Sequence, residues 1–197
     1  MAGMLRDVAQ SLARPLTDAG RLRAQLAHAE ARIAELERLA DTDPLTELPN
    51  RRPFMRAIAR SIRHLERHGT PAAILFIDVD GLKAINDLYG HLSGDAALLH
   101  IARVLQREVR ASDVVSRIGG DEFGLVLDHV NEEAARAKAT ALSAAVSDAP
   151  VRFGDAAISV KLSIGVATVM QGDTTEHALR RADDEMYVAK RAQRSDK

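Results

Sequence analysis

The apolar residues at the start of the chain recur at alternating intervals of four and three positions. The series consists of Leu22, Leu26, Ala29, Ile33, Leu36 and Ala40. This spacing is typical of a coiled-coil seam and equally of one face of an amphipathic helix. Capping and helix-breaking residues at 41–44 then end the pattern. The sequence predicts a helical segment over 1–40 and a separate domain over 41–197. Two alternatives stay open: a dimeric coiled coil, or a helix that packs on its own domain.

Beyond residue 44 the apolar spacing alternates between helical and strand periods. In chain order it predicts helix over 53–68, strand over 72–79, helix over 94–110, strands over 114–118 and 123–127, helix over 132–147, a strand region over 157–169 and helix over 174–191. Gly119 and Gly120 separate the two middle strands, as in a hairpin. A hairpin among helix-linked strands requires antiparallel pairing. The predicted fold class is therefore α+β, with a central mixed or antiparallel sheet flanked by helices.

Composition and charge exclude several classes of protein. The chain has 197 residues, with 27 Lys and Arg against 28 Asp and Glu. This balance argues against a protein that coats nucleic acid. The absence of cysteine excludes disulfide scaffolds, thiolate zinc sites and cysteine nucleophiles. The longest apolar run, 72–77, is far shorter than the roughly 20 residues of a membrane span, and charged residues interrupt the N-terminus where a signal peptide would be apolar. We expect a soluble, cytoplasmic protein.

Two acidic groups stand where strands end or turn. Asp78 and Asp80 follow the buried run directly, and carboxylates at a strand's carboxyl end suit Mg²⁺, although aspartate also suits ordinary turns. Asp121 and Glu122 follow the two glycines, which allow a ligand to approach the backbone. A solvated turn is the alternative, but the apolar alternation that resumes at Phe123 places the acidic pair on a rigid element.

Polar residues after the first strand and on the last helix are candidates for ligand binding. The first group consists of Lys83, Asn86, Asp87, His91 and Asp95. An amide and a carboxylate together can read guanine, whereas a lone histidine such as His91 more often has a structural role. Lys190 and Arg194 lie one turn apart on the predicted last helix. Basic residues there could bind phosphate or could simply complement the helix C-terminus.

Together these segments resemble the GGDEF-domain diguanylate cyclases over roughly residues 41–194. The matching segments are 43–52, 78–95, 117–123, 163–167 and 182–190. The resemblance implies a sheet similar to the palm of class III nucleotidyl cyclases and polymerases. It also implies condensation of two GTP molecules into cyclic di-GMP and two pyrophosphates, within a homodimer because each domain has one apparent nucleotide site.

The resemblance also implies roles for individual residues. Asp78, the Val79 carbonyl and Asp121 correspond to ligands of Mg²⁺ or Mn²⁺. Glu122 corresponds to a second essential carboxylate, and either it or Asp121 helps to deprotonate the ribose 3′-hydroxyl. The positions that correspond to substrate-binding residues are Lys83, Asn86, Asp95, Gly119, Gly120, Lys190 and Arg194. Leu82, Ile118 and Gln193 depart from the family pattern, in ways that affect packing or loop geometry rather than the chemistry.

Arg110 and Asp113 lie at the spacing of the family's product-binding inhibitory motif. An arginine and an aspartate can bind a phosphate and a guanine base together. A helix-terminal arginine followed by a strand-initiating aspartate would give the same pattern. A second arginine would complete such a site, and Arg136 is a candidate.

A different class of function also stays open. A catalytically silent GGDEF domain could bind GTP or cyclic di-GMP and act as a signalling module. Such a module could lose Asp121 or Glu122, and this chain keeps both. ATP as substrate is disfavoured, because the carboxylate of Asp95 would repel the acceptor N1 of adenine.

Overall fold

The structure, a computed structural model, describes the backbone of residues 21–33, 35, 36, 39–154 and 156–195, and side chains as far as residue 192. The chain divides into two compact units, Met1–Ala40 and Asp41–Lys197. The described positions from 21 to 41 are helical and form α1. Its large apolar side chains are exposed, with Leu26 59% and Ile33 55% accessible. No helix in the described part of the chain has the length and apolar character that a membrane crossing requires.

A four-stranded sheet forms the centre of the second unit. Its strands are β1 (Ala72–Asp80), β2 (Val114–Arg117), β3 (Glu122–Asp128) and β6 (Lys161–Thr168), in the order β2-β3-β1-β6. Every pairing between them is antiparallel. The expected α+β class is thus confirmed, and the sheet is antiparallel throughout. Two short strands, β4 (Val151–Phe153) and β5 (Ala156–Ile158), pair separately.

Five helices accompany the sheet in the described part of this unit. They are α2 (Arg51–His68), α3 (Leu82–Tyr89), α4 (His91–Arg107), α5 (Glu132–Ser147) and α6 (Thr175–Ser195). The sequence pattern did not predict α3, in which only Ile85 is buried. The strand region expected over 157–169 is divided between β5 and β6, and its partner β4 was not predicted.

Alternate side chains of the sheet enter two cores, because successive residues of a strand point to opposite faces. Leu75 and Ile77 belong to the core formed with α4 and α5. Ile74 and Phe76 belong to the core formed with α2 and α6. Asp78 continues the second series, so its carboxylate emerges on the α2–α6 face of the sheet.

Close backbone contact fixes α6 on this face. A β-carbon at Gly165 of β6 would lie 2.0 Å from the Ala182 carbonyl oxygen and 2.2 Å from the Met186 backbone nitrogen. Backbone atoms cannot move aside as a flexible side chain can, so glycine is needed here. The helix that carries Lys190 is therefore held close to the strand beside β1.

Candidate active site

Strand register brings the acidic residues of β1 and β3 together. Asp78 lies directly opposite Glu122 on β3 and opposite Ser163 on β6. Directly opposed residues of an antiparallel pair project from the same face with closely spaced β-carbons. The Val79 N–H also donates to the Asp121 carbonyl, at 2.9 Å. The end of β1 and the tip of the β2–β3 hairpin thus form one acidic centre.

The glycine turn of the hairpin is closed by hydrogen bonds to one carbonyl. The N–H groups of Ile118 and Gly119 donate to the Glu122 carbonyl oxygen, at 2.9 and 3.3 Å. A β-carbon at Gly119 would lie 2.3 Å from a carboxylate oxygen of Glu122. A side chain at position 119 would therefore displace the Glu122 carboxylate.

Burial and mutual repulsion act on these carboxylates. Asp78 is only 7% exposed, and its Oδ1 accepts a hydrogen bond from Lys190 Nζ at 2.6 Å. Burial raises the pKa of Asp78 and outweighs the lowering effect of Lys190, while the charges of Asp121 and Asp80 raise the pKa further. Burial likewise raises the pKa of Glu122, helped by Asp121 and Asp78 and opposed by Arg51. Negative charge here is under-compensated, as is common at functional sites.

The donor atoms at this centre fit a hard divalent cation. Carboxylate and carbonyl oxygens are the ligands that Mg²⁺ prefers, and it usually binds one or two carboxylates with substrate phosphates completing its shell. The ammonium group of Lys190 already provides one positive charge beside Asp78. Among the described residues, no three His, Cys, Asp or Glu side chains converge as a metal site. The carboxylates that strand register brings together here are those of Asp78 and Glu122.

An ion pair that sequence analysis missed holds the hairpin in place. Arg117 Nη1 donates to both carboxylate oxygens of Asp43, at 3.0 and 3.2 Å, and Nη2 donates to the Gly120 carbonyl at 2.7 Å. The backbone N–H and hydroxyl of Thr46 also donate to Asp43, at 2.8 and 2.6 Å. We call Asp43, Thr46 and Arg117 the hairpin clamp. It ties the glycine turn to the segment that begins the second unit.

The candidate guanine-reading residues meet where α3 packs on α4. Gly94 makes room for the Asn86 side chain, because a β-carbon at 94 would lie 2.0 Å from Asn86 Oδ1. This oxygen is buried and has no hydrogen-bond partner among the described residues. Asn86 therefore lies beside the turn of α4 that carries Asp95. Lys83 and His91 are exposed at the starts of α3 and α4.

Comparison with known proteins gives the family. A family model described as "Diguanylate cyclase, GGDEF domain" matches residues 40–196. The chain belongs to this GGDEF domain family. It is 39% identical over 163 residues to diguanylate cyclase TpbB of Pseudomonas aeruginosa, a match that covers 82% of this chain and 38% of that protein. It is 38% identical over 154 residues to diguanylate cyclase DosC of Escherichia coli, with 78% and 34% covered. The chain thus spans little more than a third of these curated relatives.

Solved GGDEF structures are similar over most of the chain. The coiled coil and GGDEF domain of DgcB from Caulobacter crescentus, in complex with c-di-GMP, aligns with a TM-score of 0.82 at 25% identity and covers 92% of this chain and 95% of that one. The GGDEF domain of PA1120 from Pseudomonas aeruginosa aligns with a TM-score of 0.72 at 40% identity, covering 77% and 89%. The sheet and its helices are those of a GGDEF domain.

The remaining predicted site residues of this GGDEF domain lie away from the acidic centre or outside the residues that the structure describes. Asp113 accepts hydrogen bonds from the backbone N–H groups of Arg110 and Asp128, at 3.0 and 3.4 Å, so its carboxylate has a structural role in the turn. Arg110 itself is exposed. Arg136 forms ion pairs with Glu132 and Glu185, each at 2.9 Å. The side chain of Arg194 lies outside the described residues.

Proposed function

We propose that this domain is a diguanylate cyclase that condenses two GTP molecules into cyclic di-GMP and two pyrophosphates. The observation that carries the proposal is the acidic centre: Asp78 faces Glu122 across β1 and β3, the backbone of Asp121 is bonded to Val79, and Lys190 lies against Asp78. Phosphoryl transfer needs positioned oxygens and compensated charge more than covalent help from the protein. This centre offers both.

In the proposed reaction, the 3′-oxygen of one GTP attacks the α-phosphorus of the other. A P–O bond forms, the bond to the β-phosphate breaks, and pyrophosphate leaves with its electron pair. The 3′-hydroxyl gives its proton to Glu122 or Asp121, and burial raises the pKa of Glu122, which makes it a stronger base than an exposed glutamate. Two such transfers close the ring.

A divalent cation, Mg²⁺ or Mn²⁺, would be held by Asp78, the Val79 carbonyl and Asp121. When bound, it supplies positive charge against the phosphate oxygens. In the same proposal, Lys190 and Lys83 bind phosphate, as does Arg194. Asn86 and Asp95 bind the guanine edge, for which Asp95 accepts hydrogen bonds from N1–H and the exocyclic amine.

The test is product analysis with GTP and Mg²⁺. The wild-type protein should form cyclic di-GMP, whereas Asp121→Ala and Glu122→Ala should lower turnover by about two to four orders of magnitude. Glu133→Ala, an exposed acid on α5, is the matched control and should leave turnover unchanged. Wild-type protein that binds GTP or cyclic di-GMP without turnover would point instead to the silent signalling module.

We further propose that α1 holds two domains together as a parallel coiled coil. The reaction joins two nucleotides whereas the described part of each domain has one acidic centre, and the seam residues of α1 are exposed. A tether raises the effective concentration of the second domain, into the millimolar range for short linkers. Replacing Leu26 and Ile33 with Asp should give monomers by light scattering and low activity that recovers as protein concentration rises. A variant that stays dimeric and fully active would contradict this role of α1.

Feedback inhibition is the last part of the proposal. The exposed Arg110 side chain next to the Asp113 turn could bind a phosphate and base of cyclic di-GMP. Arg110→Ala should relieve product inhibition and leave the initial rate unchanged. Inhibition that is identical in this variant would leave Asp113 with its structural role alone.

A further inference from the structure

A cavity of about 320 Å³ lies between α2 and α6, directly beside the acidic centre. Phe76, Met55 and Leu179 form an apolar surface within it. Glu122 is also one of its lining residues. The volume is at the lower end of the range for small-molecule sites. The cavity is therefore open to a ligand group in contact with a carboxylate that the proposed function uses.

Charged side chains on two helices complete the cavity. Arg51 is the first residue of α2, and Arg180 and Asp183 lie on α6. All three are exposed. Guanidinium groups bind phosphate and hydroxyl oxygens and stack on flat rings. The cavity thus has an apolar surface edged by two arginines and by the carboxylates of Glu122, Glu176 and Asp183. This combination can bind ribose hydroxyls and stack on a base.

The base of the domain's own GTP would lie away from this cavity. Asn86 and Asp95 lie on α3 and α4, whose buried residues belong to the core on one face of the sheet. The cavity lies on the other face, among residues of the α2–α6 core. A nucleotide whose base is read by Asn86 and Asp95 therefore keeps its base on the opposite face from this cavity, while its phosphates meet Asp78 and Lys190 at the acidic centre.

We infer that Arg51 and Arg180 contact the GTP that a second copy of this domain presents, and hold its ribose 3′-hydroxyl beside Glu122. The inference rests on the proposed function and names the residues that position the attacking nucleotide. A base must lie within hydrogen-bond reach of the proton it removes. With Glu122 as that base, the attacking ribose enters the space next to Glu122, and this cavity lies there. Correct placement of the 3′-oxygen accounts for a large part of the rate in such a reaction.

The experiment compares turnover with nucleotide binding in the full-length chain. Arg51→Ala and Arg180→Ala are assayed at saturating GTP, and binding is measured with guanosine 5′-(α,β-methylene)triphosphate, in which the bond that would break is replaced. Each variant should lose about ten- to a hundredfold in kcat, the effect of one charge-assisted hydrogen bond. The Kd of the analogue should stay within twofold, because the domain's own nucleotide site is unchanged. Arg51→Lys keeps the charge and should recover part of kcat.

Arg52→Ala is the matched control. Arg52 is the next residue of the same helix, and its side chain is 68% exposed and directed to Asp41 at 4.0 Å. It should behave as wild type. Unchanged kcat in both Arg51→Ala and Arg180→Ala would overturn the inference. A Kd that rises in proportion to the loss of kcat would also overturn it, since the arginines would then bind the domain's own nucleotide. Wild-type protein that makes no cyclic di-GMP would overturn the proposed function, and the inference with it.

Discussion

The carboxyl groups of the acidic centre and those of two ion-paired clusters have pKa values that are shifted in opposite directions. The pKa values of Asp78 and Glu122 are raised, because burial and neighbouring carboxylates outweigh the nearby cations. The pKa values of Asp43 and Asp173 are lowered, although both are partly buried, because each accepts several hydrogen bonds from cations and N–H or O–H groups. Burial alone therefore does not decide the direction of the pKa shift. The number of hydrogen-bond donors around the carboxylate decides it.

Asp173 and Arg181 form the second ion-paired cluster, in which several donors balance the charge of the carboxylate. Both terminal nitrogens of Arg181 lie 2.7 Å from oxygens of Asp173, and Nη2 also donates to the Thr168 carbonyl at 2.8 Å. The Met170 N–H donates to Asp173 at 2.8 Å. These bonds fix the loop between β6 and α6. In the described part of the chain, the Asp78 carboxylate accepts its side-chain hydrogen bond from Lys190, and burial still raises its pKa.

The largest effect on stability is expected for the hairpin clamp. Asp43→Asn should lower the free energy of unfolding by about 2 kcal/mol at pH 7, because it leaves the Arg117 charge, only 12% exposed, without its partner. Urea unfolding measures this loss. Adding Arg117→Gln should cost less than the sum of the two single changes. Additive losses would show that the two side chains do not act as a pair. The exposed Asp148→Asn is the control.

A smaller effect is expected at Asp173, and its pH dependence has a definite sign. Asp173→Asn should lower the free energy of unfolding by about 1 kcal/mol at pH 7. Since the pKa in the folded state lies below the ordinary value of 3.8, the stabilisation is present above pH 3.8 and is lost as the pH falls through the folded-state pKa. Wild type and variant should therefore converge in acid. Glu176→Gln, an exposed acid on the first turn of α6, should show no such convergence.

The smallest effect, of opposite sign, is expected at the acidic centre. Glu122→Gln should raise the free energy of unfolding by less than about 1 kcal/mol at pH 7 in metal-free buffer. Turnover, assayed separately with GTP and Mg²⁺, should be lost. The raised pKa means that Glu122 costs stability as the pH rises through that pKa. The gain from Gln should therefore appear towards neutral pH and vanish in acid. A variant that is less stable than wild type at pH 7 would show that the carboxylate is compensated after all.

Sequence periodicity predicted the long elements and failed for the short ones. The buried run of β1 and the glycines of the hairpin were sufficient to place Asp78, Asp121 and Glu122 at a strand end and a turn. The helix α3 was missed because it has eight residues and one buried side chain, too few for a visible apolar face. The strands β4 and β5 have three residues each, which is shorter than any readable alternation.

Long-range side-chain partners were beyond the sequence pattern for a different reason. Arg117 and Asp43 are 74 positions apart, and no local periodicity connects them. Arg117 was visible only as part of a motif, without a role. The cavity contacts of Arg51 and Arg180 also depend on how two helices pack, which the spacing of apolar residues does not specify. The acidic residues of the site could thus be predicted from the sequence, whereas the long-range contacts that hold them in place required the structure.

Because Asp78 lies directly opposite Glu122, the site depends on the register between β1 and β3. Side chains alternate between faces with a period of two, so inserting one residue between Arg117 and Gly119 would shift every following position by half a period. Glu122 would then point into the α4–α5 core and Phe123 would point to the α2–α6 face. Such a change of register would preserve each residue of the signature and still remove the acidic centre. The length of the turn thus carries as much information as the letters in it.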